Sequence, residues 1–134
     1  MNVVIVGAGP VGLYLGCLLR RCGIACTILE RRLVRSTHSR SIGIHPPALR
    51  QMEHLGLGER LVRKGIPVRQ GYGYIDNHEA GTLSFSSLPE PFNFILALPQ
   101  SETEAILENL FESLGPPVQR GHDVRGITQT NEAV

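Results

Sequence analysis

Near the N-terminus, four residues at fixed spacing can hold a nucleotide. Gly7, Gly9 and Gly12 form a G-x-G-x-x-G turn, and Glu30 follows after about the 20-residue gap expected for a dinucleotide ribose. Gly7 permits a tight turn. Gly9 has no Cβ, so the backbone can approach a pyrophosphate closely. Pro10, Val11 and Gly12 then open a helix whose free N–H groups and positive dipole end face the phosphates. Pro10 suits that first turn because its missing N–H would be unpaired there anyway. Glu30 favours an unmodified ribose 2′-OH, since a 2′-phosphate would be repelled, which argues for FAD or NAD over NADP. Arg31 and Arg32 stand beside it, and an arginine there can accept a 2′-phosphate.

The elements that position these residues follow from apolar spacing. Val3 to Val6 is short and β-branched and reads as a buried parallel strand. A helix runs through Leu13, Leu15, Leu18 and Leu19, turns basic at Arg20 and Arg21, and stops at Gly23. Gly12 and Gly16 share one face of it, where small residues allow close packing on the sheet. Ala25 to Leu29 is the second strand, with Glu30 at its carboxyl end.

Beyond the βαβ unit the pattern is mixed. Residues 31–45 lack periodicity, carry Arg31, Arg32, Arg35 and Arg40, and read as a long functional loop. Pro46 and Pro47 start a short helix with Leu49, Met52 and Leu55 apolar, ending at Gly56. Gly58 to Lys64 reads as another helix, stopped by Gly65 and Pro67. Period two then begins: Val68 to Asp76, Thr82 to Phe85 and Phe92 to Leu98 predict an antiparallel β segment, with Asp76 to Glu79 turning the chain. Ser101 and Glu104 form a capping box for a helix with Ile106, Leu107, Leu110, Phe111 and Leu114 on its apolar face. Pro117 to Arg120 and Asp123 to Thr130 are strand candidates, with a turn signal at Asn131 and Glu132. A hairpin beginning at Asn131 has no room for its return strand before Val134, so the fold reads as the front part of a larger one.

Composition narrows the classes. At 134 residues the chain has the length of one domain. A net charge of +1 gives no broad pull toward nucleic acid or membrane. No apolar run approaches the roughly 20 residues of a membrane span, and the start lacks a signal-peptide pattern. Cys17, Cys22 and Cys26, odd in number and set among apolar residues, read as buried free thiols of a cytoplasmic protein. The five histidines lack metal-ligand spacing, so no metal is expected.

With these pieces in place, the chain resembles the N-terminal portion of the para-hydroxybenzoate hydroxylase family of FAD-dependent aromatic monooxygenases. The resemblance is carried by Val4 to Gly16, by Glu30-Arg31, by Arg40 to Leu49 with Leu55-Gly56-Leu57, by Leu98 to Ser101, and by Gly121 to Val124. It implies an α/β, Rossmann-like βαβ dinucleotide-binding fold with an inserted antiparallel β segment, incomplete at the C-terminus. Residues 1–134 would be the first portion of an FAD-binding domain: a βαβ core at 1–30, loop and helices at 31–66, the β segment at 67–98, and helix and strands at 99–134. Gly7, Gly9 and Gly12, with Pro10 and Val11 between them, would line the pyrophosphate. Glu30 would take the adenosine ribose, with Arg31 beside the adenine end. Arg40 would approach cofactor oxygens from the loop, Gln100 would hydrogen-bond the ribityl side of the flavin, and Val124 would offer backbone groups to the adenine.

The activity so implied is NAD(P)H-driven reduction of FAD, followed by oxygen insertion into an aromatic or polyketide-like small molecule. No catalytic acid or base stands out in the sequence, and the chemistry of that family is largely the cofactor's own. The Asp-Gly and later Gly-Asp segments that complete the family's flavin contacts have no counterpart here, so the chain alone is expected to be inactive, with a second chain or further sequence supplying the rest. Two other readings stay open. One is a catalytically silent nucleotide-binding module or remnant. The other is half of an NAD-dependent dehydrogenase, which suits Glu30 but leaves Arg40 and Gln100 without a role.

Overall fold

Residues 3–37 and 42–129 are described by the computed structural model of the chain. In order, the elements are β1 (Val3–Val6), α1 (Pro10–Arg21), β2 (Cys26–Glu30), β3 (Gly43–Ile44), α2 (Pro46–His54), α3 (Gly58–Lys64), β4 (Ile66–Val68), β5 (Gln70–Ile75), β6 (His78–Ser84), β7 (Ile95–Ala97), α4 (Gln100–Ser113) and β8 (Gln119–Arg120). They fall into two units, Met1–Thr37 with Glu104–Val134, and His38–Thr103. This is a mixed α/β chain with a parallel sheet.

The first unit is built on that sheet. β1 and β2 run parallel from Val3↔Cys26 to Val6↔Leu29, and β8 joins the far side of β2 at Leu29↔Gln119 and Glu30↔Arg120. α1 connects the first two strands. It starts at Pro10 after the Gly9 cap and ends in a Schellman motif, in which Gly23 (φ +73) donates to the Arg20 carbonyl and Ile24 to the Leu19 carbonyl. Its packing depends on Gly16: a Cβ there would lie 2.8 Å from the Phe111 ring and 2.9 Å from Ile28 Cδ1. Arg20 lies 3.3 Å above the Phe111 ring and donates to the carbonyls of Phe111, Cys26 and Pro116, joining both helix ends to the sheet.

Two expectations are corrected here. β1 is not buried on both faces: Ile5 is enclosed, but Val4 and Val6 are each 57% exposed. Among the described residues α1 and α4 cover one face of this sheet, so alternate residues of β1 face outward. Cys17 and Cys26 are buried free thiols as expected, whereas Cys22 is exposed, because it is the α1 C-cap and lies past the packed face.

The second unit pairs helices with antiparallel strands. α2 and α3 form where proline and glycine punctuate the sequence, and Gly56 (φ +66) closes α2 with the same double hydrogen bond as Gly23 closes α1. Leu49, Leu55, Leu61 and Leu96 are essentially inaccessible and make the core. β3, β7 and β4 form one antiparallel sheet in that order, and β5 and β6 form a separate hairpin. The hairpin turn is Asp76-Asn77, both at positive φ (+48 and +64), the pattern of a type I′ turn.

The strand boundaries differ from the sequence reading in several places. Residues 43–44, read as loop, form β3. Pro67, read as a stop, lies inside β4, where it is tolerated because β4 is an edge strand. Phe92 and Phe94 precede β7 and are buried as an edge-to-face pair with centroids 6.2 Å apart. Ser101 is inside α4, not its cap: the Pro99 carbonyl accepts from Glu102 and Thr103. Residues 123–129 form no strand. The turn read at Asn131 and Glu132 lies outside the described residues. No helix among the described residues is long and apolar enough to cross a membrane.

Candidate nucleotide-binding site

The carboxyl ends of β1 and β2 meet the segment that follows β8. Gly7, at φ +103, turns the chain out of β1 and donates its N–H to the Leu29 carbonyl at 2.7 Å. The turn is compressed against the start of α1, because a Cβ on Gly12 would fall on the Gly7 carbonyl oxygen. At Gly9 the opposite holds: a Cβ would meet nothing within 4 Å. Gly9 caps α1 without a side-chain hydrogen bond, and no acidic residue occupies the first turn. The first N–H groups of this 12-residue helix therefore carry their partial positive charge unopposed.

Glu30 anchors the other side. Its carboxylate accepts the Ala8 N–H at 2.9 Å on one oxygen and the Arg32 N–H at 3.0 Å on the other. Burial pushes this carboxyl up. The N–H groups of Arg32 and Ala8, with the charges of Arg32 and Arg120, outweigh that and hold it below its ordinary value. It is therefore ionised at neutral pH. A carboxylate offers about four lone-pair sites, so two remain for ligand hydroxyls.

An open cavity of about 270 Å³ lies at this point, lined by Val6, Gly7, Leu29, Glu30, Arg31, His122, Asp123 and Val124. His122 closes it by donating its backbone N–H to the Glu30 carbonyl at 3.0 Å, after Gly121 reverses the chain at φ +80.

Of the residues singled out in the sequence, Gly7, Glu30, Arg31 and Val124 line this one cavity. Gly9, Pro10, Val11 and Gly12 form the adjoining turn and first helical turn. Val124 is half-buried. Gln100 is the first residue of α4 and belongs to the second unit. Arg40 lies outside the described residues.

Sequence reasoning gave no role to His122 or Asp123, although both fall within the segment that carried the family resemblance. It also missed Glu108. This residue is 2% exposed, and its carboxylate is bonded to both Arg35 and Arg120. The available signal was its position three residues before Phe111, on the same helix face.

The donors present fit a dinucleotide: a space beside Gly9 that a Cβ would narrow, an unopposed helix N-terminus, and an ionised carboxylate one strand away. Comparison with known proteins identifies the family. The family model described as FAD binding domain matches residues 1–134, and the chain belongs to that family. It is 38% identical over 134 residues to the uncharacterized aromatic compound monooxygenase YhjG of Bacillus subtilis, covering 99% of this chain and 26% of that protein. The structure of OxyS anhydrotetracycline hydroxylase from Streptomyces rimosus superposes with a TM-score of 0.84 at 33% identity, covering 97% of this chain and 26% of that one. The Diels-Alderase PyrE3 of pyrroindomycin biosynthesis superposes with a TM-score of 0.82 at 30% identity, covering 97% and 27%. The chain thus spans about a quarter of the length of the relatives it matches.

Proposed function

We propose that this chain holds the adenosine diphosphate half of FAD in a Rossmann-like dinucleotide site, as part of a flavin-dependent monooxygenase. The observation that carries the reading is the convergence of Gly7, the unopposed N-terminus of α1 and the ionised Glu30 on one cavity edge. In this reading Gly9 and the N–H groups of the first helical turn, around Val11 and Gly12, take the pyrophosphate. Glu30 takes the ribose hydroxyls. Arg31 and the backbone at Val124 flank the adenine. Arg40 and Gln100 keep the cofactor-oxygen and ribityl roles implied by the family resemblance, and each is open to its own substitution.

When bound, FAD supplies the redox chemistry: it takes reducing equivalents from NAD(P)H and lets dioxygen oxidise an aromatic or polyketide-like substrate. The chain's own residues bind and orient. None is assigned a proton transfer. A full reaction belongs to the whole protein, and no turnover is expected from these 134 residues alone. Free thiols at Cys17, Cys22 and Cys26 support a reducing, cytoplasmic setting.

Gly9→Ala tests the reading, because the apo structure has room for the added methyl while a bound pyrophosphate would not. FAD is titrated into wild type and variant, following flavin fluorescence and melting temperature. Binding should weaken by about a hundredfold, near 2.7 kcal/mol, with the unliganded melting temperature unchanged. Equal affinity in the two proteins would remove the pyrophosphate from this turn.

A further inference from the structure

Glu108 is the single fully buried charged residue among those described, and it sits on α4 rather than in the cavity. Arg120 donates to both of its oxygens, at 2.8 and 2.9 Å. Arg35 bonds the same carboxylate through Nε at 2.6 Å and reaches the neighbouring Asn109 side chain at 3.2 Å. Burying a charge is costly, and an apolar side chain of similar size usually does as well for stability alone. What a shared carboxylate adds is position: two guanidinium forks are held in fixed directions.

Those two arginines lie outside the cavity lining, but each belongs to a chain segment that contributes to it. Arg35 lies in the segment that leaves β2 after Glu30 and Arg31. Arg120 ends β8, paired with Glu30 in register, and precedes His122, Asp123 and Val124, which line the cavity. We infer that Glu108 is a positioning residue that ties the segment after β2 to the end of β8, so that Glu30 and the backbone at His122 are preorganised for the nucleotide. The ligand consequence rests on the proposed function, whereas the lock itself is a property of the unliganded protein.

The test therefore has a ligand-free readout. Backbone amide exchange is measured on the unliganded protein for wild type, Glu108→Gln and Arg35→Gln, and FAD titrations follow. In Glu108→Gln, exchange at the hydrogen-bonded His122 and Arg32 amides should quicken by about tenfold or more, while the α1 amide of Leu13 stays within about twofold. FAD binding should weaken by about tenfold. In Arg35→Gln only the Arg32 amide should quicken, because Arg120 keeps its bond to Glu108. Unchanged protection at His122 in Glu108→Gln overturns the lock, as does a uniform rise that includes Leu13. If Glu108→Gln does not fold, unchanged exchange at the Arg32 amide in Arg35→Gln overturns it instead. A wild type that binds no FAD would sink the cofactor reading, and the exchange data would still decide the lock.

Discussion

The β1–α1 turn and the β5–β6 hairpin are both rich in glycine, yet their glycines do different work. In the first, a Cβ on Gly12 would strike the Gly7 carbonyl, and one on Gly16 would press into Phe111 and Ile28. In the second, a Cβ on Gly71 would meet nothing within 4 Å, and one on Gly73 only the Gly81 carbonyl at 3.7 Å. The first region sits on a packed helix and sheet, whereas Tyr72, Tyr74, Ile75 and Leu83 of the hairpin stand exposed. Glycine content therefore says little by itself. Its meaning comes from whether another backbone, ring or ligand must approach, and Gly9 is the informative intermediate because it has open space in the protein, which the proposed function assigns to a nucleotide.

The contrast breaks most visibly at Gly12. Gly12→Ala forces its methyl onto a backbone oxygen, so the turn itself must shift. Overpacking of this kind costs about 3 kcal/mol, and the displaced turn should also lose FAD binding. Chemical denaturation followed by flavin titration checks both. Gly16→Ala should cost about 2 kcal/mol, since the ring of Phe111 and the Ile28 methyl can yield slightly where a backbone carbonyl cannot. A Gly12→Ala protein as stable as wild type would show that the turn is not compressed.

Glu30→Gln comes next. The amide keeps the shape but presents at most one acceptor to the Ala8 and Arg32 N–H groups, and the half-exposed site limits the loss to about 1 kcal/mol. The sign with pH follows from the lowered carboxyl pKa. Protonation is harder in the folded chain than in the unfolded one, so the stabilisation is present above the ordinary value of 4.5 and is lost as pH falls through the folded value. The stability difference between wild type and Glu30→Gln should be flat near neutrality and shrink below about pH 4.5. A difference that grows on acidification would mean the carboxyl is raised instead.

Thiol labelling separates packed from unpacked parts of the first unit without altering stability. Burial pushes the Cys17 thiol up to about 11, against weaker opposing pulls from Arg20 and Arg21, so its thiolate is scarce at neutral pH. Cys22 is exposed. One equivalent of label should react quickly and two only on unfolding, as mass spectrometry would show. Rapid modification of Cys17 in the native protein would contradict the packing of α1.

The βαβ unit was legible in the sequence because every local signal agreed: a β-branched run, glycines where the chain turns, Pro10 at a helix start and Gly23 at its end. The two-residue strand β3 was not, since it exists only through its pairing with β7 at Leu96 and Ala97. Pro67 read as punctuation because its edge position depends on a partner distant in sequence. Phe92 and Phe94 gave a strand-like apolar pattern, yet it is their mutual packing that buries them. In the candidate site, backbone geometry and local charge marked Gly7 and Glu30 in the sequence, and both line one cavity. His122 and Asp123 reach the cavity only through the parallel pairing of β8 with β2, and Glu108 reads as a surface charge until Arg35 and Arg120 are brought to it.

The smallest expected effect sharpens the opening contrast. Gly71 lies in β5 with open space around it and no positive φ, so Ala can adopt its backbone without strain. Gly71→Ala narrows the unfolded ensemble and should stabilise by about 0.5 kcal/mol, opposite in sign to Gly12→Ala. FAD affinity should not change, because this strand lines no part of the candidate nucleotide cavity. Paired denaturation curves for the two alanine variants therefore carry the comparison by sign alone. If Gly71→Ala destabilises as strongly as Gly12→Ala, the hairpin glycines are also held against a neighbour, and the distinction between the two regions fails.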